Sequence, residues 1–233
     1  MVGEERGSDG AIAANAHAAS RDAAYLVGGE PTDNRFVAGS KGCLRAVIET
    51  RGVAGHSSLT GAEGARSAVD PLLDVLGEIR RLDFPEDPIF GRTTVNIGVI
   101  EAGTAPNVIA ERGRAEVLFR TGRPVEEALQ AVRRAAEGRA EVSVPYRSDP
   151  IAFRVPRARA GRGEAEIVSF ACDLPVLDRW GEPILIGPGS IGDAHAARER
   201  VDLAQVEQAV GIYRDLARDL IGRGEEALEP RNM

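Results

Sequence analysis

The sequence predicts an α/β protein in which a β-α-β-β-α-β unit, residues 41–149, is inserted into a second domain made of residues 1–40 and 150–233. Three observations carry this. Between Lys41 and Pro150 the apolar residues alternate between a period of two and a helical period, in the order of a split unit. On either side, short apolar runs end in glycine-rich turns, as strands of an open sheet do. With 43 % hydrophobic and 28 % charged residues the composition is globular, and no apolar run approaches the roughly 20 residues of a membrane span.

The elements follow in order. Residues 10–19 are alanine-rich and predict a short helix with Asp9 as its N-cap, and Tyr25-Leu26-Val27 predicts a brief buried strand. Leu44, Ala46 and Ile48 alternate with polar residues as a half-buried strand does. Ala65, Ala68, Val69, Leu72, Leu73, Leu76 and Ile79 fall at helical spacing, with Pro71 in the first turn. Val95, Ile97 and Val99 predict a second strand, and Ala115, Val117 and Phe119 a third. Val125, Ala128, Leu129 and Val132 predict a helix, then Val142, Val144 and Tyr146 a fourth strand, which completes a ferredoxin-like order. Beyond Pro150, Ile184-Leu185-Ile186 predicts a buried strand. Asp202 and Gln205 predict a capping-box start to a helix with Leu203, Val206, Val210, Tyr213 and Leu220 on one face. Residues 224–233 are polar and predict a frayed end. For an α/β sheet the outer domain has few strands.

Charge and cysteine usage exclude some partners. The net charge is −7, and 28 of the 29 basic residues are scattered arginines, Lys41 being the exception, so no basic stripe exists for nucleic acid. Met1 to Arg6 lacks the apolar stretch of a signal peptide and predicts the end of a strand. Cys43 and Cys172 sit apart in apolar surroundings and predict buried free thiols of a reducing compartment, which favours the cytoplasm.

Several residues sit where chemistry could be done. In Glu4-Glu5, neighbouring carboxylates point in different directions, so one could bind a metal while the other acts as base; the plain alternative is two solvated acids. Glu30 follows a strand and precedes a proline, at the carboxyl end where open sheets place ligands. His195 is likewise reached from a strand through Gly187-Pro188-Gly189-Ser190, and Glu with His suits a zinc-type donor set. His56, in Gly55-His56-Ser57-Ser58, is either a turn histidine or a hydrogen-bond donor to an oxyanion. Asn107 and Arg120 are either a turn residue and a solvated charge, or a clamp on a substrate carboxylate. His17 has no role, and Gly187-Pro188-Gly189 lacks the lysine and spacing of a phosphate loop.

The motifs together resemble the M20 metallopeptidases, the group of acetylornithine deacetylase, succinyl-diaminopimelate desuccinylase and related carboxypeptidases. They run in the family's order: Val2-Gly3-Glu4-Glu5 with Gly7-Ser8-Asp9-Gly10, then Gly29-Glu30-Pro31-Thr32 and Gly55-His56-Ser57-Ser58. Thr94-Val95-Asn96-Ile97-Gly98, Pro106-Asn107-Val108-Ile109 and Gly187-Pro188-Gly189 with Ala194-His195 follow. The resemblance implies a doubly wound zinc-hydrolase catalytic domain, here partial, and an inserted ferredoxin-like lid through which subunits form a homodimer. It implies two Zn2+ ions per complete site, with Co2+ as a substitute. It also implies Glu4 as general base, Glu5, Glu30 and His195 as metal ligands, and His56 as a group reaching the partner's site. Asn107 and Arg120 would bind the substrate, an N-acyl amino acid or small peptide. The family's His-x-Asp motif and bridging Asp are missing ahead of Glu4, and Ala110 replaces a usual proline. The expectation is a deacetylase-, desuccinylase- or carboxypeptidase-type hydrolase, inactive as an N-terminally truncated fragment. The alternative is a non-catalytic dimerising or binding protein of the same descent.

Overall fold

A computed structural model describes residues 3, 7–62, 64–156, 165–223, 226 and 228. The chain divides into two compact units, one made of Met1–Ser40 with Ile151–Met233 and the other of Lys41–Pro150. In chain order the elements are α1 (Asp9–Asn15), β1 (Tyr25–Gly28), β2 (Val37–Ser40), β3 (Gly42–Arg51), β4 (Gly55–His56) and α2 (Val69–Ile79). Then come β5 (Thr94–Ala102), β6 (Val108–Ile109), β7 (Arg112–Thr121), α3 (Val125–Ala136) and β8 (Glu141–Ser148). Last are β9 (Ile151–Ala152), β10 (Glu166–Val168), β11 (Glu182–Leu185) and α4 (Leu203–Arg223).

The Lys41–Pro150 unit is a four-stranded antiparallel sheet in the order β5-β7-β3-β8, the ferredoxin-like arrangement. β7 alternates buried and part-exposed residues along its length, because one face carries the helices and the other does not. Leu44, Ala46 and Ile48 of β3 and Ala115, Val117 and Phe119 of β7 meet Leu72, Leu76 and Ile79 of α2 and Leu129 and Val132 of α3 in one core. Phe84 adds an edge-to-face contact on Phe119, with ring centroids 6.3 Å apart. On the opposite face, Glu116 accepts from Arg45 and Arg114, which hold its carboxyl below the usual carboxylate range, Arg114 contributing most.

The outer unit carries a mixed sheet in the order β1-β11-β2-β10, with β9 also paired to β2. β1 runs parallel to β11 and β10 parallel to β2, while Leu185 opposite Val37 is the antiparallel link. This agrees with the α/β class expected. Its apolar residues form two small clusters, one around Val37, Phe153, Cys172, Leu174 and Leu185, the other joining Ile184 to Leu216, Leu220 and Leu228.

Several local expectations need correction. Ser8, not Asp9, precedes α1, and it adopts a left-handed φ of 62° without capping through its side chain. β1 is an edge strand with Val27 exposed, not a buried one. α2 begins at Val69, leaving Ala65 and Ala68 outside it, and Leu73 faces solvent. At Gly98 the pairing of β5 with β7 shifts register, which turns Val99 away from the core. In α4 the buried stripe is Ala209, Leu216 and Leu220, while Leu203 and Val210 are exposed. Leu228 is buried and bridges to Pro156, whereas most of the 224–233 segment, for which a frayed end is expected, lies outside the described residues.

Candidate functional site

In the outer unit the chain leaves β1 at Gly28 and β11 at Leu185, two parallel neighbours whose carboxyl ends lie side by side. Glu30 follows the first and the Gly187-Pro188-Gly189 turn the second. These segments touch at backbone level: a Cβ on Gly187 would lie 2.3 Å from the Glu30 carbonyl oxygen and 2.5 Å from that of Gly29. Only glycine permits this approach. A short 3-10 turn, Ile191–Asp193, then leads to His195, an exposed residue with a left-handed φ of 58°. That conformation is uncommon outside glycine, and the His195 N–H donates to Glu199 Oε2 at 3.0 Å. Glu30 and His195 thus occupy adjoining loops at one end of one sheet. Glu4 and Glu5 lie outside the described residues.

The other three candidates belong to the ferredoxin-like unit, and the structure groups them differently from the sequence analysis. β4 pairs with β6 so that His56 stands opposite Val108, and the Ser57 N–H donates to the Asn107 carbonyl at 3.0 Å. His56 and Asn107 are therefore neighbours, both exposed, beside a hollow of about 760 Å3 bordered by Ser57, Thr60, Asp70 and Pro106. His56 Nδ1 accepts from the Ser58 N–H at 3.2 Å, which assigns the ring proton to Nε2 and leaves that N–H as a donor.

Arg120 sits at the far end of β7, opposite Cys43 and Thr94. Along the strand from Arg112 to Arg120 this is roughly 27 Å from the Asn107 end. Within one chain the two residues therefore stand too far apart to meet at a single carboxylate. The Arg120 Nη1 is buried without a hydrogen-bond partner among the described residues. Next to it Cys43 is a buried free thiol whose pKa is pushed up by burial, an effect the guanidinium partly offsets.

A carboxylate and an imidazole on adjoining loops fit a zinc-type ion in kind. Among the described residues no group of three or more such donors occurs, so Glu30 and His195 are a partial set. Thr32, Asn34 and Gln205, none of them marked as a site residue by the sequence, lie where the Glu30 and His195 loops meet.

Comparison with known proteins agrees with this architecture. Residues 38–145 match the family described as the M20 peptidase dimerisation domain. A probable carboxypeptidase of Paracoccidioides brasiliensis strain Pb18 is 34 % identical over 224 residues, covering 85 % of this chain and 49 % of its own length. An M20 peptidase domain-containing protein of Schizosaccharomyces pombe is 32 % identical over 222 residues, covering 92 % of this chain and 52 % of its own. The chain thus spans about half the length of the curated relatives it matches. In fold it is similar to a tripeptidase of Staphylococcus aureus, with a TM-score of 0.66 at 20 % identity, over 94 % of this chain and 63 % of that one. The aminopeptidase PepT of Bacillus cereus gives a TM-score of 0.63 at 18 % identity, over 91 % and 61 % of the two chains. With the inserted ferredoxin-like unit, the paired loops at the strand ends and sequence identity running across both units, the chain belongs to the M20 peptidase family.

Proposed function

We propose that the chain acts in a metal-dependent hydrolase of the carboxypeptidase type, cleaving the amide bond of a small peptide or an N-acyl amino acid. The observation that carries this is the backbone contact between the Glu30 loop and the Gly187 turn that leads to His195. Glu30 and His195 would hold zinc, or cobalt in its place, with Glu5 as a further ligand. Bound there, such an ion would supply polarisation of the scissile carbonyl and a lowered pKa for water. Glu4 takes the proton from the attacking water and returns it to the leaving amine. His56 offers its Nε2–H to the developing oxyanion, and Asn107 and Arg120 bind the substrate's carboxylate end.

A homodimer through the Lys41–Pro150 unit reconciles His56 and Asn107 with Arg120, since the two ends of the sheet can then serve different sites. The free edges support one side of the sheet over the other. β8 carries Pro145, which has no N–H to give a partner strand, whereas β5 has no proline or lysine and exposes Ile100. No helix of the described residues is long and apolar enough to cross a membrane. The two free cysteines are buried, which supports a reducing compartment such as the cytoplasm.

The test is cobalt binding and turnover on a panel of dipeptides and N-acetyl amino acids, for the chain and its Glu30→Gln and His195→Ala variants. Cobalt absorption that both substitutions abolish is expected; absorption indifferent to them sinks the ligand assignment. The partial donor set favours a second reading, a non-catalytic dimerising or binding protein. Stoichiometric metal together with turnover by the 233-residue chain would eliminate it.

A further inference from the structure

We propose that Thr32, Asn34 and Gln205 form a clamp that fixes the spacing between the Glu30 loop and the His195 loop, and so act as positioning residues for whatever those two side chains bind. The inference rests on the reading of Glu30 and His195 as metal ligands.

The clamp begins in the backbone. Asp33 and Asn34 are consecutive left-handed residues, at φ 53° and 56°. Asp and Asn tolerate this region better than other side chains, but two in a row form a tight reversal that something must hold. The reversal aims three successive amides at the facing turn. Thr32 N–H donates to the Gly187 carbonyl at 3.2 Å, Asp33 N–H to that of Gly189 at 2.8 Å, and Asn34 N–H to that of Gly187 at 2.8 Å. Gly187 is bonded in both directions, because its own N–H donates to Thr32 Oγ1 at 3.0 Å. The Thr32 hydroxyl, buried in this contact, then donates to the Arg35 carbonyl at 2.8 Å, closing the reversal on itself.

The second half of the clamp comes from α4. Asn34 Nδ2 donates to the Gln205 carbonyl at 2.8 Å and to Gln208 Oε1 at 3.1 Å. Gln205 Oε1 accepts from the Gly189 N–H at 2.6 Å. Asn34 and Gln205 therefore tie both loops to one helix end. A sheet connection does not require this much directed bonding, whereas a metal site needs its donors placed to about 0.2 Å. Outer groups that orient donors are worth about ten- to a hundred-fold in metal affinity.

The test measures Co2+ affinity and the visible absorption of bound Co2+ for the chain and for Thr32→Val, Thr32→Ser and Gln205→Ala, with thermal unfolding alongside. Thr32→Val keeps the shape and removes the hydroxyl. It is expected to weaken Co2+ about tenfold or more and to alter the band of the bound ion. Thr32→Ser, which keeps the oxygen, restores both. Gln205→Ala, on a part-exposed helix turn, gives a smaller loss of the same kind without unfolding the chain. A purely structural role would lower the melting temperature and leave the spectrum of the folded protein unchanged, and that result overturns the clamp. A wild-type chain that takes up no Co2+ overturns the ligand reading beneath it, and is recognised without any variant.

Discussion

The two units of this chain hold themselves together by different means. In the Lys41–Pro150 unit, a sheet with strands of eight to ten residues and two amphipathic helices enclose one continuous apolar core, with Leu44, Ile48, Phe119 and Leu129 excluded from solvent. In the outer unit the strands run to four residues at most, and the apolar residues split into two small clusters. What the outer unit has instead is directed bonding where the loops after β1 and β11 meet. Packing tolerates volume-conserving exchange, whereas a hydrogen-bonded junction fixes particular atoms. The region that carries Glu30 and His195 is built in the second way.

That contrast can be broken by substitution. Phe119→Ala should cost the most, about 3–5 kcal/mol, because it removes a fully buried ring. Leu220→Ala, in the smaller cluster at the unit's margin, should cost nearer 2 kcal/mol. Urea denaturation of both variants checks this, and equal losses would erase the distinction between the cores. Gly187→Ala comes next. Its Cβ cannot coexist with the Glu30 carbonyl at 2.3 Å, so the loops must part, at about 1–3 kcal/mol and with loss of cobalt binding. A variant of wild-type stability and cobalt affinity would mean the junction yields freely.

Smaller effects sharpen the comparison within the ferredoxin-like unit. Ile100→Lys on the unguarded β5 edge should shift a dimer toward monomer in light scattering, while Arg147→Ala on the β8 edge leaves it unchanged. The reverse pattern would move the interface to the other edge. Glu116→Gln should alter stability least at neutral pH, since Arg45 and Arg114 are part-exposed. Its signature is in acid. The folded pKa of Glu116 is depressed, so its contribution is present above the unfolded carboxylate pKa and lost as pH falls through the folded one. Unfolding measured at pH 7 and again in acid should therefore show wild type losing its advantage over Glu116→Gln; a constant difference argues against the ion pair.

Much of the ferredoxin-like unit was legible because each element there buries a face at its own period. Where it was not, a local irregularity intervened. Gly98 breaks the alternation, and a one-residue register shift sends Val99 to the wrong side. In α4 the large residues Leu203 and Val210 suggest a stripe that small Ala209 displaces. The site divides similarly. Glu30 and His195 can be placed at strand ends from their glycine turns, but Gln205 looks like a capping-box residue and instead turns its side chain to the Gly189 N–H, 16 residues earlier and outside its helix. Asp202 does cap locally, accepting from the Ala204 N–H at 2.9 Å. The separation of Arg120 from Asn107 was available in principle, since a full strand lies between them.

β2 and β9 are antiparallel neighbours, with Gly39 opposite Ala152 and Ser40 opposite Ile151. Just inside them, Cys43 stands opposite Ser148. The ferredoxin-like unit therefore enters and leaves through adjacent strands. Once it has folded, it presents Ser40 and Ile151 to each other as a tight hairpin would. Closing a loop of that length from a disordered chain would cost roughly 3 kcal/mol more than closing a short turn. A folded insert thus leaves the pairing of β9 with β2 with little more chain entropy to lose than a hairpin has, although more than a hundred positions separate the two strands along the chain.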